Sequence, residues 1–202
     1  MSELIVAFPV ACSANARQAE PSAPLLGTPW PLQTERLLLT LPDHATAHQL
    51  VSWAVDPQIA PSLWPQGRFN ASTLVLALAA WQRDCGTLIG ELRLRLDNGL
   101  LSYFVVPSAW GQGYATEMVR AVSDAATMKL TLPDVKAVVL RENVASRRVL
   151  EKSGFRFDGL TCASRAGGAA LRTALRFVRR NLDVCVSPNE EQVPWMESGR
   201  PR

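Results

Sequence analysis

The stretch WGQGYATE, Trp110 to Glu117, follows the apolar run LLSYFVVPSA and precedes a segment of helical periodicity. Gly111 and Gly113 let a backbone approach a ligand closely. A helix that starts at once aims several unpaired N–H groups at one spot, with the positive end of its dipole behind them. That arrangement suits a pyrophosphate and needs no metal. A Walker-type loop would need a lysine after its last glycine, and no lysine lies between Gly113 and Thr127. A dinucleotide fingerprint would need a third glycine where Thr116 stands, and an acidic residue ending the next strand, whereas Asp134 precedes one. A tight glycine turn that binds nothing is the remaining alternative.

Other chemistry-bearing groups are sparse. His44 and His48 share a helix face, but HATAH is not the HExxH of a zinc protease, so no metal site is expected. Cys12, Cys85, Cys162 and Cys185 lie far apart without a CxxC pair, which reads as reduced thiols in a cytoplasmic protein. The arginines at 147, 148, 156, 165, 172, 176, 179 and 180 read mostly as a solvated face, with one or two able to meet a phosphate or an acidic surface.

The elements that would position the loop can be read from periodicity and turn signals. TERLLLTLP, Thr34 to Pro42, reads as a strand, and Asp43 caps a helix carrying Ala47, Leu50, Val51 and Ala54. STLVLALAAWQRD, Ser72 to Asp84, reads as a second helix capped by Ser72. From Gly90 to Leu96 the pattern alternates as a half-buried strand does, and the Asn98-Gly99 pair closes a tight hairpin. The next strand, Leu100 to Val106, must then run antiparallel to it, and the antiparallel hairpin also argues against a dinucleotide βαβ unit. Pro107 ends that strand. Residues Ala115 to about Leu130 form a helix, Val135 to Leu140 a buried strand, and Val144 to Ser153 a helix capped by Asn143 and stopped by Gly154. Phe155 to Phe157 opens another strand, and Arg172 to Val184 forms a last, arginine-rich one. The fold class is α+β, helices packed on a mixed sheet. Residues 1–32 form an N-terminal extension, 33–186 the domain, and 187–202 a polar tail.

Composition narrows the partners. A net charge of +3 admits an anionic ligand without the basic, aromatic-laced stripe of a nucleic-acid binder, so none is expected. No apolar run approaches the roughly 18 residues that span a bilayer. The N-terminal apolar run follows Glu3, has no Lys or Arg before it and is broken by Pro9, which argues against a secretory signal. No membrane association is expected.

Four separated segments together resemble the GNAT superfamily of N-acetyltransferases, in the branch of the RimJ/RimL ribosomal-protein N-terminal acetyltransferases. They are TERLLLT, Leu88-Ile89-Gly90, YFVVPSAWGQGYATE and NVASRRVLEKSGF, in order between Thr34 and Phe155. Against the superfamily loop pattern, (Gln or Arg)-x-x-Gly-x-(Gly or Ala), the fit is Trp110, Gly113 and Ala115, with tryptophan usual in this branch. The resemblance implies the acyl-CoA N-acyltransferase fold, a mixed and mostly antiparallel central sheet flanked by helices. It also implies direct attack of a primary amine on acetyl-CoA in a ternary complex, without a metal.

By that resemblance Phe104, Val105 and Val106 lie where the sheet splays, pairing with the pantetheine amides, and the Val106 N–H polarises the thioester carbonyl. Trp110, Gly111, Gln112, Gly113, Tyr114, Ala115 and Thr116 form the pyrophosphate site, and Asn143 is a pantetheine contact, a helix cap, or both. The tyrosine acid that many GNAT enzymes carry on the later helix is replaced by Leu150. Ser146, three residues after Asn143, takes the acid role in the RimJ/RimL branch or is a plain surface serine. The splaying strand has no carboxylate, so Glu91 on the preceding strand is the candidate base, reaching the cleft through water, or else a solvent-facing strand residue. Tyr103 and Tyr114 read as packing and loop residues. The acceptor is a protein N-terminus or a small amine, and a homodimer stays open. An acyl-CoA-binding sensor or scaffold with little turnover is the alternative.

Overall fold

The computed structural model describes residues 30–54, 56, 59, 74–164 and 171–181. Its elements in chain order are β1 (Leu32–Gln33), β2 (Leu37–Thr40), α1 (His44–Ala54), β3 (Val75–Gln82), β4 (Leu88–Arg95), β5 (Leu100–Val105), α2 (Tyr114–Met128), β6 (Asp134–Leu140), α3 (Val144–Lys152), β7 (Arg156–Ser164) and β8 (Leu171–Arg180). Among the described residues the strands form one sheet in the order β1-β2-β3-β4-β5-β6-β8-β7. Every pairing is antiparallel except β5 with β6. This is the mixed, mostly antiparallel sheet of the expected α+β class.

One expectation is overturned. VLALAAWQ is not a helix but the interior strand β3, paired with β2 on one side and β4 on the other. Its leucines and alanines favour helices intrinsically, and propensity loses to packing here. Leu78 and Ala80 face the core built with α2, while Ala79 between them faces α1 with Leu50 and Phe104. A strand covered on both faces has no polar alternation to display. The proposed Ser72 cap lies outside the described residues.

The two faces carry separate cores, because consecutive strand residues point oppositely. Leu39, Leu92, Leu94 and Leu101 join Met118, Val119, Val122 and Ala126 of α2 and Leu150 of α3. On the other face Leu50 and Trp53 of α1 meet Leu88 and Phe104. Trp30 is buried in the first core, so the packed chain reaches back into the expected extension. Asp43 caps α1, its Oδ1 accepting from the Thr46 N–H at 2.8 Å. Among the described residues no helix is long and apolar enough to cross a membrane.

The arginines of β8 are less free than a solvated face implies. Arg176 pairs with Asp158 at 2.7 Å, Arg179 with Asp124, and Arg172 with Glu142. Arg165 lies outside the described residues.

Candidate active site

The parallel pair β5–β6 is joined only at its start, Leu100 opposite Lys136 and Leu101 opposite Ala137, after which the strands part. The cleft between them is lined by Leu101, Tyr103, Val139, Asn143, Ser146 and Leu150, among others. Alternation of the backbone decides which groups face it. The Val106 N–H donates to the Ile89 carbonyl at 2.8 Å, toward β4. Val106 and Phe104 therefore spend their amides on the β4 ladder, and the N–H groups of Tyr103 and Val105 point the other way, into the cleft. The Val106 N–H expected to meet the thioester is thus spent on β4, and the cleft-facing amides lie one and three residues earlier. The Val105 carbonyl has lost its strand partner and accepts instead from Trp110 Nε1 at 2.6 Å. The indole in place of the usual Gln or Arg ties the glycine loop to the end of β5.

In that loop Gly111 and Gly113 have φ of 73° and 84°, the left-handed region open chiefly to glycine. Gly113 is the N-cap of α2 and offers no side chain to the first-turn N–H groups. A Cβ on Gly111 would meet nothing within 4 Å, so the space above it is open to a ligand. The first-turn amides, at Tyr114, Ala115 and Thr116, thus have no capping partner at the mouth of the cleft.

A latch from β2 holds the loop. Arg36 ion-pairs with Glu117 at 2.7 Å, donates to the Gln112 carbonyl at 2.9 Å, and lies 4.5 Å over the Tyr114 ring. Glu117 also accepts from the Thr34 hydroxyl at 2.5 Å and from the Arg36 N–H at 2.9 Å. Burial alone would raise the Glu117 pKa, but these donors outweigh it and hold the carboxyl below its ordinary 4.5. Tyr114 is buried and its hydroxyl accepts from Gln82 Nε2, so its side chain packs beneath the loop as expected. Gln112 turns its amide back to the Ser108 carbonyl. The packing of Tyr114 leaves only its backbone to meet a ligand. The latch was invisible in the sequence because its members lie some 80 residues apart, at separations of 81 and 83.

Across the cleft, Asn143 Oδ1 accepts from the Ser146 N–H at 3.0 Å, the helix cap expected of it, leaving its amide nitrogen as the group able to serve a ligand. Ser146 Oγ lies 3.3 Å from the Tyr103 hydroxyl. Tyr103, expected to be a packing residue, therefore brings a polar atom into the cleft. Burial pushes its pKa up to about 12, against the smaller opposing effect of Ser146.

Glu91 lies on the other face of the sheet, between Ala79 and Phe104, which pack with α1. It is only 5% exposed and accepts from Arg93 Nε at 2.9 Å, so it is not a solvent-facing strand residue. The hydroxyls of Tyr103 and Ser146 and the carboxylate of Glu91 thus flank β5 from opposite faces. His44 and His48 approach to 3.2 Å on the exposed side of α1, and the described residues hold no cluster of three metal-ligating side chains.

A family model described as an acetyltransferase (GNAT) domain matches residues 36–156. The chain is 39% identical over 74 residues to the probable N-acetyltransferase YjcK of Bacillus subtilis, covering 37% of this chain and 41% of that protein. It therefore spans less than half the length of that curated relative. In fold it is similar to Mycobacterium smegmatis RimJ in complex with CoA-disulfide, with TM-score 0.61 at 19% identity over 74% of this chain and 84% of that one. It is similar also to the spermidine N-acetyltransferase of Vibrio cholerae in complex with CoA and spermine, with TM-score 0.62 at 13% identity over 73% and 97%. The family match runs from the latch arginine just before β2, past the parted strands and the loop, to the first residue of β7. That is more than half of the chain, and the protein belongs to the GNAT acetyltransferase family.

Proposed function

We propose that this protein transfers the acetyl group of acetyl-CoA to a primary amine by direct attack within a ternary complex. The observation that carries this is the parting of β5 and β6 directly beside a helix start whose amides are uncapped. The fit to coenzyme A rests on the open space above Gly111, where a Cβ would meet nothing, and on the two left-handed glycines. Both solved structures named above contain a form of coenzyme A, which supports the same reading.

Acetyl-CoA would supply an acyl group already activated as a thioester. The amides of residues 111–116, with the Thr116 hydroxyl beside them, would hold its diphosphate, and the Asn143 amide nitrogen would serve the pantetheine arm. The N–H groups of Tyr103 and Val105 are the donors available to a carbonyl oxygen in the cleft. One fixed donor aimed at developing negative charge lowers a barrier by about 3 kcal/mol. Glu91, across the sheet and held by Arg93, is the base we assign to take the amine's proton. Ser146 would face the departing sulfur. The acceptor class is a protein N-terminus, as the RimJ-like fold suggests, or a small amine such as the spermine named with the V. cholerae enzyme.

A thiol-release assay over polyamines, aminoglycosides and peptides with free N-termini tests the reading. Release of coenzyme A with at least one class is expected. Calorimetric binding of acetyl-CoA with no release from any amine would instead favour an acyl-CoA sensor. The latch gives a second expected outcome. Glu117→Gln should weaken coenzyme A binding about tenfold, the worth of one charge-assisted hydrogen bond. Because the folded pKa of Glu117 is depressed, the latch is fully present above pH 4.5 and is lost only as acid protonates the carboxylate. Calorimetry at neutral pH checks the first statement and an acid titration of binding the second.

A further inference from the structure

Position 150, where many GNAT enzymes carry a tyrosine acid, is a leucine buried at the cleft wall. The cleft nevertheless contains a phenol, supplied by a different element. Tyr103 on β5 reaches across to α3 and lies 3.3 Å from Ser146 Oγ and 3.4 Å from the Ser146 carbonyl oxygen. Ser146 itself is fixed, since its N–H is spent on the Asn143 cap at 3.0 Å.

A phenol beside a carbonyl and a hydroxyl has one proton to give, and both neighbours accept; the shorter contact is to Oγ, at 3.3 Å. With that proton directed at Oγ, the serine's own proton cannot point back at Tyr103. It can then serve another acceptor, and Ser146 lines the cleft. Buried hydroxyl pairs of this kind polarise one another.

We infer that Tyr103 is a positioning residue for the transfer reaction, holding the Ser146 hydroxyl with its proton turned into the cleft toward the departing sulfur. This rests on the acetyl-transfer reading above. As the new C–N bond forms and the C–S bond breaks, the bonding pair moves to sulfur. The Ser146 O–H donates to that charge while Tyr103 donates to Ser146, and the proton that Glu91 takes from the amine is passed to solvent, from which the thiolate is neutralised. Tyr103 keeps its proton throughout. Its elevated pKa, caused by burial, means that it remains a donor across the neutral range.

The test is a double-mutant cycle on kcat and KM for acetyl-CoA, with melting temperature as the fold control. Tyr103→Phe keeps the ring and is expected to lower kcat about tenfold, the factor of one hydrogen bond, with KM within twofold. Ser146→Ala is expected to lower kcat at least as much. The double variant should be no slower than Ser146→Ala alone, because Tyr103 acts only through that serine. Ser146→Thr, which keeps the hydroxyl, should retain the sensitivity to Tyr103→Phe. An unchanged kcat in Tyr103→Phe, a loss confined to KM, or fully additive losses would each overturn the inference. If Tyr103→Phe fails to fold, Ser146→Ala alone carries the test, since an unchanged kcat there would leave Tyr103 nothing to act through and would overturn the inference. A wild-type chain that releases no thiol from any amine removes both this inference and the transfer reading. An active wild type with an equally active Tyr103→Phe variant removes the inference alone.

Discussion

Replacing Gly113 with valine is expected to weaken coenzyme A binding severely while the chain still folds. The reason is conformational rather than steric. A Cβ at this position would meet only Arg36 Nη2, at an ordinary 3.5 Å, so there is room for it. The backbone φ of 84° is the obstacle, since a β-branched residue in the left-handed region carries about 1–3 kcal/mol of strain. The chain can relieve that strain by swinging φ negative. Doing so turns the peptide planes on either side of the N-cap and aims the first amides of α2 elsewhere. It also draws the Gln112 carbonyl away from Arg36, which donates to it at 2.9 Å. Several donors are lost together because they share one pivot. Calorimetry should show affinity down by about two orders of magnitude or more, as expected when two charge-assisted hydrogen bonds fail at once. The core of α2, built from Met118, Val119 and Val122, lies beyond the pivot, so cooperative unfolding should persist at a modestly lower temperature. An unchanged affinity would remove the phosphate-cradle assignment.

The loop was legible in the sequence because every part of it is local. The glycines, the strand before and the helix after form one continuous stretch from Leu100 to Met128 and follow from turn chemistry and periodicity. The Asn98-Gly99 hairpin and the Asn143 cap were legible for the same reason. The helix expected from Ser72 to Asp84 failed where tertiary burial erased the strand's alternation, as Leu78, Ala79 and Ala80 are all buried. Glu91 looks solvent-facing in a pattern of alternating polar residues, and only the packing of α1 over that face buries it. The pairing of Tyr103 with Ser146 joins residues 43 apart, and no local signal distinguishes such a phenol from a packing one. The site's local skeleton could therefore be read from residue types, whereas its long-range hydrogen bonds depend on how the sheet parts.

On its other side β5 is approached closely by a glycine whose role is not conformational. Gly90 on β4 sits opposite Val105, and a Cβ there would lie 2.2 Å from the Phe104 carbonyl oxygen and 3.1 Å from Val105 Cα. Both are backbone atoms, which cannot rotate away as a flexible side chain would. Gly90→Ala must therefore push β5 off β4 at the very residues whose amides divide between ladder and cleft. Overpacking of this kind is expected to destabilise by about 3 kcal/mol, measurable by urea unfolding. Gly86 supplies the contrast, because its φ is 64° but a Cβ would meet nothing within 4 Å. Gly86→Ala should lose only about 1 kcal/mol, from backbone strain alone. Equal losses in the two variants would show that strain, and not the close approach of two strands, governs both sites. If Gly90→Ala folds with the larger loss, any surviving activity should fall further than its stability explains. The displaced Phe104–Val105 peptide would misalign the Val105 amide in the cleft and the carbonyl that Trp110 holds at 2.6 Å. Full turnover in a folded Gly90→Ala chain would mean that the cleft tolerates a shifted β5, and the backbone donors assigned to it would have to be sought elsewhere.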